Sequence, residues 1–307
     1  MASSPKINAR KKRINKGDLI FVIVMLLVPT VQFAIFYIGT NLNSFALSFK
    51  TYDKLGGGFV PNGWNNFERV IQDFKNNEEV MSAFGNSFKV YGVGLITSVP
   101  VAILFAFYVY KKFFGFRTFK VLLFLPSMLS ILTLCILYRI FADNAVPSVV
   151  NKIFNANMQG FFADLKTEYA ALMFAFVFFS FGTTLLLYLG AISDVPEAVM
   201  EAAEIDGASN FVQLTRIVLP SIFPTIKTFF VCGLAGLFSN QFNLFNFYGT
   251  GAEAKYETIG YYFYKLTING QENYSYVAAF GLMLSLVLVP VTLVINKLLE
   301  RLQDKIA

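Results

Sequence analysis

Six stretches of the chain are nearly unbroken runs of apolar residues, and polar residues crowd into the segments between them. The runs cover residues 19–38, 87–110, 119–141, 169–190, 222–240 and 276–297. Each approaches the roughly 20 residues that an α-helix needs to cross the hydrocarbon of a bilayer. The pattern therefore predicts an all-α fold, a polytopic membrane protein with six transmembrane helices. Pro220, Pro224 and Lys227 blur the start of the fifth run, and Pro29, Pro100, Pro126 and Pro290 are expected to kink their helices by removing a backbone donor. Three polar connections, 39–86, 142–168 and 247–275, carry turn signals such as Gly56-Gly57-Gly58, and residues 64–74 have the spacing of a short amphipathic surface helix.

The segment 194–219 differs from the apolar runs on either side of it. Asp194, Pro196 and Glu197 form a helix-start pattern: N-cap, proline in the first turn, and a reciprocal carboxylate three residues on. The helix is expected to run through Glu201-Ala202-Ala203-Glu204 and to end at Asp206-Gly207, where glycine suits a left-handed turn. Ser209 then caps a second short helix with Phe211, Leu214, Ile217 and Val218 at helical spacing, and Leu219 is expected to leave the helical region ahead of Pro220. The result is a helix-turn-helix hairpin parallel to the membrane. The small side chains of Ala202 and Ala203 suit close approach of another backbone, and Glu201 offers a carboxylate to a basic partner.

Composition agrees with a bilayer protein. Of 307 residues, 56% are hydrophobic and 14% charged, against about 25% charged in soluble domains. Lys and Arg cluster at Arg10, Lys11, Lys12, Arg13 and Lys16, at Lys111, Lys112, Arg117 and Lys120, at Arg216 and Lys227, and at Lys297, Arg301 and Lys305. Cytoplasmic flanks of membrane helices are enriched in these residues, so both termini and the hairpin are expected to be cytoplasmic. The first apolar run is too long for a signal peptide and reads as a retained span. The net charge of +6 reflects this orientation and calls for no nucleic acid. The chain divides into a basic N-terminus (1–18), a six-helix domain (19–297) containing the hairpin, and a C-terminal tail (298–307). With no histidine and only Cys135 and Cys232, the usual zinc sites are not formed. No G-x-x-x-x-G-K phosphate loop occurs, so the chain is expected not to be an enzyme and to take energy from a partner. The six runs contain no acidic residue suited to a proton relay, which argues against an ion-coupled carrier.

A path for polar solute needs hydrogen-bonding groups at membrane depth. The strongest cluster is Ser239, Asn240, Gln241, Asn243 and Asn246, interleaved with Phe238, Phe242, Phe245 and Phe247. Amides combined with aromatic faces suit a sugar, and Asn240 and Asn243, three apart, are expected to share a helix face. Ser180, Thr183, Thr184 and Tyr188 form a second group on the fourth run. Both sets read either as a solute path or as hydrogen bonds that hold helices together.

Glu201-Ala202-Ala203, Gly207, Ile217 and Leu219-Pro220 match in type and spacing the EAA signature of membrane subunits of bacterial binding-protein-dependent ABC importers. Trp64-Asn65-Asn66-Phe67, Leu125-Pro126 and the region from Glu257-Thr258 to Tyr264 resemble the carbohydrate-uptake branch, and within it the first permease subunit of maltose, lactose and glycerol-phosphate importers. The likeness extends over nearly the whole chain after residue 18, with a departure at Gly251-Ala252-Glu253, where relatives usually carry Gly-Gly-Pro. The resemblance implies a coupling hairpin that seats in a cytoplasmic ATPase through Glu201, Ala202, Ala203, Asp206 and Gly207. It also implies a solute path that uses the fourth and fifth spans, with Ser180, Thr183, Asn240, Gln241 and Asn243 as candidates. The implied partners are a second homologous permease, two ATPase domains that bind ATP and Mg, an extracellular solute-binding protein, membrane lipid and a sugar. The implied location is a bacterial cytoplasmic membrane. A stand-alone carrier or channel, or an ABC importer of a non-sugar solute, remains the alternative.

Overall fold

The computed structural model describes residues 16–306, and the expectations for Arg10 to Arg13 lie outside them. The first helix, α1 (Leu19–Ser48), leaves every large apolar side chain from Leu19 to Ile38 exposed. A helix apolar all round needs an apolar surrounding. Only its last third packs inward, against the final helix of the chain. A hairpin follows, β1 (Lys50–Asp53) and β2 (Gly58–Pro61), pairing Lys50 with Pro61 and Asp53 with Gly58. The amphipathic surface helix expected at 64–74 is present as α2 (Asn65–Asn76), with Asn66 and Val70 buried.

The remaining helices are α3 (Glu78–Tyr110), α4 (Phe116–Phe124), α5 (Ile131–Phe154), α6 (Lys166–Ser193), α7 (Glu197–Ile205), α8 (Asn210–Ala235), α9 (Leu244–Tyr248), α10 (Ile259–Asn269) and α11 (Gln271–Lys305). Among the described residues six helices, α1, α3, α5, α6, α8 and α11, are long and apolar enough to cross a membrane. All six apolar runs thus correspond to helices, but their boundaries differ in ways that follow from the prolines.

Pro100, Pro147 and Pro220 each sit two residues after a wide π-helical turn, at Gly94–Ser98, Phe141–Ala145 and Leu214–Val218. A proline removes the N–H owed to the carbonyl four residues back and crowds that carbonyl. The π turn takes this carbonyl out of the α register, so the helix passes through. Leu219 accordingly stays helical (φ −59°, ψ −46°) and the second arm of the hairpin runs directly into the fifth span. The break expected before Pro220 is absent, and the hairpin's second arm is the start of α8. Pro126 has no such turn ahead of it. There α4 closes in a 3₁₀ turn (Leu125–Met128), Leu129 and Ser130 are extended, and α5 begins afresh. The single helix expected over 119–141 is therefore two helices, and α5 continues to Phe154 through part of an expected loop. Likewise α11 continues to Lys305, so residues 298–305 prolong a helix.

Three apolar clusters hold the bundle. One joins α3, α6, α7 and α8 through Phe107, Tyr188, Ile192, Met200 and Val218. A second gathers Leu134, Leu172, Phe242 and Tyr261. The third seats α2 and α10 on α3 and α11 through Val70, Val80, Ile259 and Phe280.

Candidate functional site

The hairpin is built from a sharp joint. α6 ends at Ser193, and the Asp194 N–H bonds back to the Gly190 and Ile192 carbonyls. Asp194 is thus the last turn of α6 and not the N-cap of the next helix. That place falls to Pro196 (φ −57°, ψ 128°), without a side-chain cap. On α7, Met200 and Ala203 are buried while Glu201, Ala202, Glu204, Ile205, Asp206 and Gly207 face out. Ala203 therefore turns toward the protein's own interior, whereas Ala202 lies on the open face. Gly207 takes φ +75°, the left-handed turn that its sequence position implied. The Ser209 hydroxyl accepts the Val212 N–H at 3.4 Å, capping α8 as expected.

Two contacts that the sequence did not indicate fix this hairpin. Gln213, 2% exposed, donates to the Ala208 carbonyl at 2.8 Å and so ties the turn to α8. Lys111, at the last turn of α3, places its ammonium 2.6 Å from the Glu204 carboxylate. Sequence periodicity carries no signal for a pair 93 residues apart.

The polar cluster at the end of α8 is arranged differently from the expected helix face. The helix stops at Ala235, a 3₁₀ turn covers Leu237–Ser239, and Asn240 is extended. The Asn240 carboxamide oxygen accepts the Phe242 N–H at 2.8 Å, and Phe242 and Asn243 both adopt left-handed backbone conformations. Asn240 and Asn243 are thus loop-forming residues on no common helix face. A cleft of about 430 Å³ does open beside them, lined by Phe238, Ser239, Gln241, Tyr264, Thr267 and Ser285. Gln241 and Ser239 reach it; Asn240, Asn243, Ser180 and Thr183 do not line it. On α6, Ser180 and Thr183 are exposed, and the Ser180 hydroxyl donates to its own helix at the Phe176 carbonyl, 3.0 Å away.

At the end of the bundle opposite the hairpin, buried polar groups lock α10 in place. Lys265 lies 2.6 Å from Glu79 on α3 and 2.6 Å from Glu257, whose side chain is fully buried. Burial pushes the Glu257 carboxyl above the usual range, opposed by the neighbouring ammonium of Lys265. Lys265 itself is held above its ordinary value: burial acts to lower it, and the two carboxylates outweigh that. Asn86 donates to the carbonyls of Lys255 and Glu257 at 2.7 and 3.1 Å, and the Ile259 N–H donates to the Ser87 hydroxyl at 2.9 Å. The Thr258 hydroxyl donates to the Asn240 carbonyl at 2.6 Å, which joins this network to the loop beside the cleft. Gly260 faces the same loop so closely that a Cβ there would fall 2.6 Å from the Asn240 carbonyl oxygen. A further buried carboxylate, Glu168 at the start of α6, accepts the hydroxyls of Tyr248 and Tyr256, both at 2.7 Å. Among the described residues, no group of three or more His, Cys, Asp or Glu could hold a metal ion.

An apolar bundle with an exposed, acidic hairpin at one end and a polar cleft near the other defines a multi-pass membrane transport component. The chain belongs to the family of binding-protein-dependent transport system inner membrane components, which it matches over residues 98–307. It is 25% identical to the arabinooligosaccharides transport system permease protein AraP of Bacillus subtilis, over 87% of this chain and 84% of that protein. It is 22% identical to the multiple sugar-binding transport system permease protein MsmF of Streptococcus mutans, over 91% and 94% of the two chains. In fold it is similar to a chain of a bacterial ABC transporter involved in the import of the acidic polysaccharide alginate, with a TM-score of 0.76 and 21% identity over 92% of this chain and 96% of that one.

Proposed function

We propose that this chain is the permease subunit of an ATP-driven importer that carries a sugar or oligosaccharide across a bacterial cytoplasmic membrane. The observation that carries the reading is the hairpin. Met200 anchors α7 in the bundle core, while Glu201, Ala202, Asp206 and Gly207 stand open beside Ile205 and Phe211, which are 86% and 72% exposed. An apolar pair rimmed by carboxylates on a membrane protein calls for a partner with an apolar cleft and basic residues. In this reading the partners are two cytoplasmic ATPase domains, which bind ATP and Mg and hydrolyse the nucleotide. A second homologous permease completes the membrane part, and an extracellular binding protein delivers solute to the cleft around Gln241. Lys111, Lys112, Lys120 and Arg216 gather at the hairpin end, which supports placing that end and both termini in the cytoplasm. The sugar assignment is supported by the named relatives and by a cleft that combines amide, hydroxyl and aromatic groups.

The test is to purify the chain from its native membrane in mild detergent and identify the co-purifying proteins by mass spectrometry. Stable recovery of a second six-span protein and an ATPase is expected. Recovery of this chain alone, active in vesicles without ATP, would overturn the proposal.

A further inference from the structure

We propose that Lys111 and Glu204 form a clasp that makes the hairpin move as one body with α3 as well as α6. Lys111 is then a positioning residue for energy transfer. This inference rests on the importer reading for its consequence, but the clasp itself is a property of the chain.

The hairpin is joined covalently to α6 through Asp194, Val195 and Pro196, and Pro196 is extended. Its second arm is continuous with α8, and Met200 packs α7 on the apolar cluster shared with α3, so the ion pair adds a directional tie to contacts that do not by themselves fix the far end of α7. Among the described residues, one ion pair bridges α7 to another element, and it goes to α3. The Lys111 side chain is only 10% exposed against 58% for Glu204, so the ammonium is held at the bundle surface and the carboxylate comes to it. The Lys111 N–H is bonded to the Phe107 carbonyl at 2.9 Å, and the ammonium lies 5.9 Å from the Phe107 ring centre. Phe107 belongs to the same apolar cluster as Met200. A cation at the C-terminal end of a helix is also favoured by the helix dipole. Beside the clasp a groove of about 740 Å³, lined by Lys112, Lys120, Asp194 and Glu197, separates the hairpin from α4. The hairpin is thus fastened to α3 and left apart from α4. A pull on α7 would move α3 and α6 together, and these two helices already share an extended interface.

The pair differs from an ordinary surface ion pair, in which both partners are solvated and contribute little. With Lys111 mostly buried, loss of Glu204 leaves an ammonium without its partner. The Lys111 side chain is only 10% exposed but lines the same groove as Glu201, so the amount of ATPase bound is what separates clasping from docking when Lys111 is removed.

The experiment uses the full chain, with its co-purifying partners, in nanodiscs. Cys135 and Cys232 are replaced by Ser, and spin labels are placed at Val199→Cys on α7, 46% exposed and outside the docking residues, and at Leu104→Cys on α3. Wild type and Lys111→Arg are expected to give one narrow distance distribution, Lys111→Met and Glu204→Gln a broad one, and the swap Lys111→Glu with Glu204→Lys a narrow one again. Equal narrow distributions in every variant would overturn the clasp whether or not an ATPase accompanies the chain. In complexes that hydrolyse ATP, solute-stimulated hydrolysis is expected to fall about fivefold or more in Lys111→Met, with the amount of bound ATPase unchanged and activity restored in the swap. A broadened distribution with full stimulation would overturn the role in energy transfer.

Discussion

The two ends of the bundle treat their charged residues in opposite ways. At the end opposite the hairpin, Glu257 is fully buried and Lys265 bridges it to Glu79, while Asn86, Ser87 and Thr258 satisfy backbone groups of α10 and its approach. At the hairpin end, Glu201, Asp206 and Gly207 face outward, and one ion pair fastens the element to α3. Buried polar groups bonded to one another fix a single geometry, because breaking any one of them strands the others. Open carboxylates beside exposed Ile205 and Phe211 hold little together within the chain. The contrast separates a rigid seat for the cleft from an element built to meet another protein.

The comparison is broken most severely by Lys265→Met. It leaves two carboxylates facing each other, one of them without solvent, and the expected loss is about 3–5 kcal/mol. It should appear as a sharp fall in thermal stability in detergent. Adding Glu257→Gln should recover much of it, and a silent Lys265→Met would mean that the network is ornamental. Next in size is Gly260→Ala. Its Cβ would meet backbone of Ser239 and Asn240, and overpacking of this kind costs about 1–3 kcal/mol. Melting temperature and solute uptake should fall together, since the loop it displaces carries Gln241. A smaller effect is expected at the hairpin turn. Gly207→Ala forces an L-residue into the left-handed region, at about 1–2 kcal/mol, and Gly207→Asn should be milder. Both should lower ATPase retention more than they lower the stability of the bundle, measured by co-purification and by thermal melting. The reverse order would place Gly207 in the fold's stability and remove it from docking.

Much of the architecture was legible in the sequence because the bilayer imposes a simple rule. Five of the six apolar runs correspond to one long helix each and the third is shared between α4 and α5, while the helix at Asn65–Asn76, the Gly207 turn and the Ser209 cap followed from local chemistry. The prolines misled in both directions. Pro126 broke its helix and Pro220 did not: a π turn at Leu214–Val218 precedes Pro220, while Pro29 and Pro290 stay inside unbroken helices without one, and apolar spacing encodes none of these outcomes. The expected pairing of Asn240 with Asn243 on a helix face failed because α8 ends at Ala235 and the loop then turns through two left-handed residues. Long-range polar pairs were invisible for another reason. Glu79 with Lys265 and Lys111 with Glu204 are 186 and 93 residues apart, and only the packed helices bring them together.

The most direct test of the central claim is Glu201→Lys in the purified complex, reconstituted in proteoliposomes with the binding protein and solute. Uptake and ATP hydrolysis are measured in the same vesicles. The account predicts that the variant remains in the membrane but loses uptake, and that its remaining ATP hydrolysis no longer responds to solute. Uptake at the wild-type level, with hydrolysis still responding to solute, would contradict the claim that energy enters this protein through the hairpin.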